Sequence, residues 1–219
     1  MPLSKPGQDA HATFATTDND ARPEWRAGGF CLESVRSRAE KHRVPEPTPS
    51  EEFFDVVDQD DAVVGRATRR AVHAQGLLHR AVHVLVYNRR GELFLQKRSR
   101  NKDTAPGVWD SSASGHVDAG EDYDACARRE LAEEIGLRLM HPPGRWFRLG
   151  ACEDTGREFV WVYRAEAEGP FTLNPEEIEG GAWYRPAEIA RLVREQPAEF
   201  ASSFRLIWCE LVARGGNGA

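Results

Sequence analysis

The sequence predicts a mixed α/β (α+β) protein, an α/β/α sandwich around a mixed β-sheet. Three observations point there. Segments with strand patterning lie on both sides of one central amphipathic segment, residues 122–135. That segment carries helix punctuation at both ends. Two further helical segments, 186–195 and 200–213, close the chain. Strands grouped around one helix and followed by others bury their apolar faces best as helices layered on a sheet.

The elements follow in order. Residues 53–58 read as a strand, Gln59-Asp60-Asp61 as a turn and 62–66 as a second strand. A short helical piece spans 68–74. Residues 80–87 form the next strand, and Asn88-Arg89-Arg90-Gly91 is a hairpin turn. Residues 92–97 alternate apolar and polar, as a half-buried strand should. A polar loop at 99–107 leads to Val108-Trp109-Asp110 and one more strand. In the central helix Asp122 is the N-cap, with Glu121 and Asp124 near the positive end of the dipole. Gly136 sits where a glycine ends a helix. Tyr123, Ala127, Leu131 and Ile135 make the buried stripe, and Glu130, Glu133 and Glu134 share another face. Residues 146–152, 158–165 and 181–184 read as later strands.

Domain organisation is asymmetric. Residues 1–50 are rich in Pro, Asp, Arg, Ser and Thr and poor in clustered aliphatics, and 45–52 (PEPTPSEE) reads as a linker. This arm is expected to be disordered or loosely docked, with a short helix around 32–42 and Trp25, Phe30 and Leu32 available for packing. The catalytic domain is expected over 51–213, with a flexible tail at 214–219.

Composition excludes several classes. The 219 residues carry a net charge of −6 and a pI of about 5.7, which argues against a broad nucleic-acid footprint. Cys31, Cys126, Cys152 and Cys209 show no CxxC pairing and read as reduced intracellular thiols. No apolar run approaches the roughly 18–20 residues of a membrane span, and the N-terminus lacks a signal-peptide core. A cytoplasmic protein without membrane or nucleic-acid partners is expected.

Residues 115–137 read GHVDAGEDYDACARRELAEEIGL. Gly115, Glu121, Arg129-Glu130-Leu131, Glu133-Glu134 and Gly136-Leu137 fall at the spacings of the Nudix box, every required position filled. Chance coincidence at one start is on the order of one in 10⁸. The chain thus resembles the Nudix hydrolase superfamily from about 51 to 213. The resemblance implies the Nudix fold, a divalent metal and cleavage of a diphosphate linkage. Three clustered carboxylates repel one another, and a hard cation such as Mg²⁺, with oxygen ligands shared between protein and phosphate, reverses that cost. A Glu-rich helix face is ordinarily only solvated; here glycines and Arg129 accompany it. By resemblance Arg129 pairs with Glu121, Gly115 lets the backbone approach the metal, and Glu130 and Glu134 are ligands. Glu133 is a third ligand or orients water.

A narrower likeness lies in HRAVHVLVYNRRGELFLQKRS (79–99) and GVWDSSASGHVDAGE (107–121). These look like the isopentenyl-diphosphate isomerase-like branch, whose true isomerases use a cysteine just before the box and bind a metal through three histidines and two glutamates. His79 and His116 fall on two histidine positions, and His73 is one residue out of spacing for the third. Glu158 matches one glutamate and Gly156 occupies the other. Ser114 holds the cysteine position and is a poor proton shuttle. The plainer reading of His79, His83 and His116 is ordinary hydrogen bonding in strands and loops.

The expected chemistry is attack of metal-activated water on a diphosphate, with Mg²⁺ as cofactor and Mn²⁺ as substitute. Glu133 or Glu158 serves as base, Glu158 favoured from outside the box and Glu153, Glu177 and Glu179 as weaker candidates. Lys97, Arg98, Arg100 and Lys102 form a basic run placed to hold diphosphate, and His116 joins them in substrate binding. The substrate is a small-molecule diphosphate, a nucleoside diphosphate or derivative. Oligomeric state is left open by the sequence, although homodimers are common in the families that this chain resembles. An isoprenoid-diphosphate isomerase and a non-catalytic nucleotide-binding module are the alternatives; the missing cysteine disfavours the first and the complete box the second.

Overall fold

The computed structural model describes residues 51–215. The short helix expected at 32–42, the packing of Trp25, Phe30 and Leu32, the state of Cys31 and the last four tail residues lie outside them.

Strands β1 (Phe53–Val57) and β2 (Val63–Thr68) form an antiparallel hairpin apart from the main sheet. Thr68 then caps α1 (Arg69–Gln75), its side chain accepting from the Ala71 N–H, and Gly76 ends that helix in the left-handed conformation.

The main sheet runs β5–β4–β3–β8–β7, with β6 also paired to β3 and β9 to β4. Its strands are β3 (His79–Tyr87), β4 (Leu93–Arg98), β5 (Trp109–Asp110), β6 (Ala113–His116), β7 (Gly144–Leu149), β8 (Glu158–Glu166) and β9 (Ile178–Tyr184). Only β3 with β8 is parallel, so the sheet is mixed. Val82, Val84 and Val86 face α2 (Tyr123–Glu134), whose Tyr123, Cys126, Ala127 and Leu131 are buried against them with Ile135 just beyond. Ala81, Leu85 and Tyr87 face the other way, toward Ile189 of α3 (Pro186–Glu195) and Phe204, Ile207, Trp208 and Leu211 of α4 (Ser202–Ala213). Helices thus cover both faces, as the sequence predicts. No helix among the described residues is long and apolar enough to cross a membrane.

Two elements differ from expectation. Strand β4 is not half-buried: Leu93, Phe94, Leu95 and Gln96 are all sealed, because β4 lies inside the sheet beneath both helical layers. Strand β9 starts three residues earlier than predicted and pairs with β4 along most of its length. Its Gly180-Gly181 pair hides the strand from propensity. At Gly181 the glycine is required, since an added Cβ would fall inside 3 Å of the Phe94 ring.

One feature of the sheet positions the site. Strand β4 pairs with β3 only at Val86↔Phe94 and Tyr87↔Leu93. Strand β6 then takes the place beside β3, from Ala81↔His116 to Val84↔Ala113. Between diverging β4 and β6 the sheet is split, and a cavity of about 650 Å³ opens there.

Candidate active site

The box helix delivers its carboxylates to that split. Asp122 caps it, accepting from the Ala125 N–H at 2.8 Å. Ile135 ends it, and Gly136 follows at φ +71°. Glu130 and Glu134 are buried at the edge of the apolar stripe, while the Glu133 side chain is 57% exposed, so only two of the three glutamates share a common depth.

Glu134 is held by the sheet. Its Oε2 accepts from the Ser114 backbone N–H at 2.9 Å and from Gln96 Nε2 at 3.0 Å. Glu130 is held by Arg129, whose Nη1 donates to Oε1 at 2.7 Å. The Glu130 carboxylate lies against Gly115, where any Cβ would fall inside 3 Å of both its oxygens. Burial, then the negative charge of Glu134, pushes the Glu130 carboxyl well above the usual range. Burial likewise raises Glu134, to about 7, although the Ser114 N–H, Lys102, Arg98 and Gln96 act against it. Two buried carboxylates that resist ionisation side by side are what a divalent cation relieves, so the residues present fit one.

Arg129 ties the box together. It donates to Glu121 through Nε at 3.0 Å and Nη2 at 2.8 Å, to Glu133 at 3.1 Å and to the His116 carbonyl at 3.0 Å. The bidentate pair orients the helix against the loop that precedes it.

On the opposite face of β6 sits a second cluster. One ring nitrogen from each of His73, His79 and His116 lies within 4.8 Å of the others. His116 Nε2 is 3.0 Å and His79 Nε2 3.5 Å from Glu158 Oε1. The Phe54 ring stacks on His79 and His116 and fixes their planes. Burial works to raise the Glu158 carboxyl, but the hydrogen bonds of His116 and His79 outweigh it and hold the group far below the usual range. Burial and repulsion by His116 and His79 lower His73 to about 4.

The NUDIX domain family matches residues 77–204, more than half of the chain. The chain belongs to the Nudix hydrolases. An uncharacterized Nudix hydrolase of Pseudomonas aeruginosa is 36% identical over 148 residues, 67% of this chain and 86% of that one. Another, from Yersinia pestis, is 36% identical over 138 residues, 63% and 75% respectively. In structure, DR0079 from Deinococcus radiodurans superposes with a TM-score of 0.61 at 24% identity, covering 73% of this chain and 98% of that one, a likeness of fold. As a Nudix hydrolase the protein cleaves a pyrophosphate bond in a small-molecule substrate, in a family that generally uses divalent metal ions.

The sequence-predicted residues of this Nudix hydrolase divide in space. Gly115, His116, Arg129, Glu130, Glu133, Glu134, Glu158, Arg98 and Lys102 line the cavity, as does Glu177. Glu121 sits behind Arg129. The basic run does not act as a unit. Lys97 is absent from the cavity wall: it lies over the Trp109 ring and 3.3 Å from Glu199. Arg98 reaches the wall, but Nε donates to the Ala105 carbonyl, Nη2 to that of Thr104 and Nη1 to Asp110, so its three nitrogens are engaged by protein. Arg100 points out toward Glu179. Lys102, paired with Glu177 at the rim, is the cation of the run that faces the carboxylates. Glu153 and Glu179 do not line the cavity either.

Sequence reasoning missed Gln96 and Asp110. Gln96 stands between Leu95 and Lys97, where the alternation read it as one more outward polar residue, so the sequence held no signal for the first. Asp110, next to Trp109, offered none, because its partners Arg98 and His83 lie on two other strands.

Proposed function

We propose that this protein is a Mg²⁺-dependent hydrolase, with Mn²⁺ as an effective substitute, acting on a small-molecule diphosphate such as a nucleoside diphosphate derivative. The observation that carries this is the buried Glu130–Glu134 pair at the split of the sheet, Glu130 against Gly115 and Glu134 on the Ser114 N–H. Glu130 and Glu134 would hold the ion, with the Gly115 carbonyl beside them; the ion supplies charge neutralisation for the phosphoryl oxygens and lowers the pKa of water.

The remaining work falls to the chain's own residues. Ser114 N–H and Gln96 fix the Glu134 carboxylate, and Arg129 fixes Glu130. Lys102 offers a positive charge to the diphosphate from the rim. Glu133, more than half exposed where it lines the cavity, takes the proton of the attacking water. Glu158 is a weaker base than the sequence suggested, since a carboxylate stabilised in its ionised form by two histidines accepts a proton poorly. Glu158 belongs instead with His73, His79 and His116, a nitrogen-rich set suited to a transition metal, as the isomerase-like resemblance implies.

The test is a hydrolysis screen of the full chain with Mg²⁺ and Mn²⁺, against nucleoside di- and triphosphates, nucleotide sugars, dinucleoside polyphosphates, coenzyme A and isopentenyl diphosphate. Metal-dependent cleavage of one class, abolished by chelation, is expected. Tight binding without turnover of any of them would make the protein a binding module instead, and isomerised isopentenyl diphosphate would make it an isomerase.

A further inference from the structure

A cavity that takes a diphosphate needs a cation, yet among the described residues every arginine and lysine of its wall is already paired with a carboxylate. They are Arg69, Arg98, Lys102 and Arg129. Arg129 ties the box together, and Arg98 has all three side-chain nitrogens on protein acceptors. Arg69 stands on α1 with His73, on the side of the second cluster, and answers Glu52 at 2.9 Å. That leaves Lys102, whose charge acts on Glu134 and whose ammonium holds one oxygen of Glu177. An ammonium has three donors on a flexible stem, so it can change partners.

The Lys102–Glu177 pair is built into the backbone. Ser99, buried just after β4, ties both partners: its N–H donates to the Glu177 carbonyl at 2.9 Å, and its carbonyl accepts from the Lys102 N–H at 3.2 Å. The Glu177 segment is fastened in turn to the box helix. The Asn174 N–H donates to the Glu134 carbonyl at 2.9 Å, and the Asn174 carbonyl accepts from the Glu177 N–H at 3.1 Å. None of these bonds uses the Glu177 carboxylate, which is therefore held at the cavity wall whether or not it is charged. The Lys102 side chain is 18% exposed and that of Glu177 34%, so salt screens this pair less than an open surface pair.

An ammonium that already holds a carboxylate must release it to hold a phosphate. The diphosphate carries the greater charge and wins the exchange. Glu177 is then left unpaired beside a polyanion, and that cost is subtracted from the affinity.

We infer that Glu177 is a built-in competitor for Lys102, an anion of the chain itself that occupies the phosphate-binding ammonium in the free protein and is displaced by the diphosphate, so that it sets how tightly phosphate is held. This rests on the proposed reading of the cavity as the site of diphosphate hydrolysis. Its sign is opposite to that of a metal ligand: removing the Glu177 charge strengthens binding.

Inorganic pyrophosphate is the probe, titrated calorimetrically into the full chain with Mg²⁺. Glu177→Gln keeps the side-chain size and the backbone bonds, and is expected to bind pyrophosphate roughly 3- to 10-fold more tightly than wild type. Lys102→Met should bind it about 10-fold less tightly. In the Lys102→Met background the gain from Glu177→Gln should shrink to about 2-fold or less, because only repulsion by the bare carboxylate is left to remove. Where Lys102→Met does not fold, Lys102→Gln is read the same way. An equal gain in both backgrounds makes Glu177 a general source of negative charge and overturns the inference. Unchanged or weaker binding by Glu177→Gln overturns it too, the weaker result giving Glu177 to the metal. A wild type that binds no pyrophosphate also overturns it, while turnover in the hydrolysis screen leaves the hydrolase reading standing. The expected pattern of affinities with no turnover of any compound in the screen overturns the hydrolase reading and leaves the competition in place.

Discussion

The Glu130 carboxylate rests directly on the backbone of Gly115, so close that no Cβ fits between them. A strand residue and a helix residue fifteen positions apart are therefore locked into one object. Gly115 points toward α2 because its neighbours Ser114 and His116 face the other way, and β6 thus serves two clusters, one on each side.

Gly115→Ala should separate site from fold. The added methyl must push Glu130 away, at a stability cost of about 1–3 kcal/mol. Turnover is expected to fall on the order of 100-fold, with metal affinity weakened. Thermal unfolding and metal titration of the same preparation check both halves.

Gln96→Leu removes one of two donors to Glu134 without changing volume greatly. A more weakly held ligand should bind the metal roughly 10- to 100-fold less tightly. Because Gln96 also opposes the raised pKa of Glu134, the pH at which metal binding reaches half its plateau should move upward. Calorimetric titration at several pH values measures both effects.

The metal-free protein carries a pH signature at Glu134. A carboxyl raised on folding contributes stability fully below its unfolded pKa, and that contribution is lost as pH climbs through the folded value. For Glu134 the window runs from 4.5 to about 7. Glu134→Gln does not ionise, so in chelator the variant should gain on wild type across that window, by on the order of 3 kcal/mol at the top, and hold level above it. His73 and His83 titrate in both proteins and cancel in the difference, whereas Glu130, which no longer faces the Glu134 charge in the variant, ionises more readily there and adds to the gain in the same direction. Urea unfolding at pH 5, 6, 7 and 8 reads it; a constant difference would mean that Glu134 ionises freely.

Arg129→Lys keeps the charge and loses the fork. Two bonds to Glu121, one to Glu130 and one to the His116 carbonyl cannot all be made by an ammonium. A stability loss of about 1–3 kcal/mol and a fall in kcat larger than any rise in KM are expected. Comparable losses in kcat and KM would place Arg129 on substrate instead.

What was legible in the sequence was local. Asp122, the Tyr123–Ile135 stripe and Gly136 each act within a turn or two of α2, so the helix and its register could be read from spacing. The Arg129–Glu121 pair came with the resemblance. The non-local parts were not legible. Gln96 meets Glu134 across 38 residues, and Asp110 meets His83 across 27, because β4, β5, β3 and β6 converge only in the folded sheet. The basic run misled for a simpler reason. Lys97 and Arg98 are neighbours in a strand, and neighbours in a strand face opposite ways.

The most direct measurement is the turnover of Glu134→Gln on the substrate that the screen identifies, at saturating Mg²⁺, beside its thermal unfolding. A folded variant with kcat reduced by several orders of magnitude is the expected result. A folded variant with near wild-type kcat would contradict the placement of the metal on the Glu130–Glu134 pair.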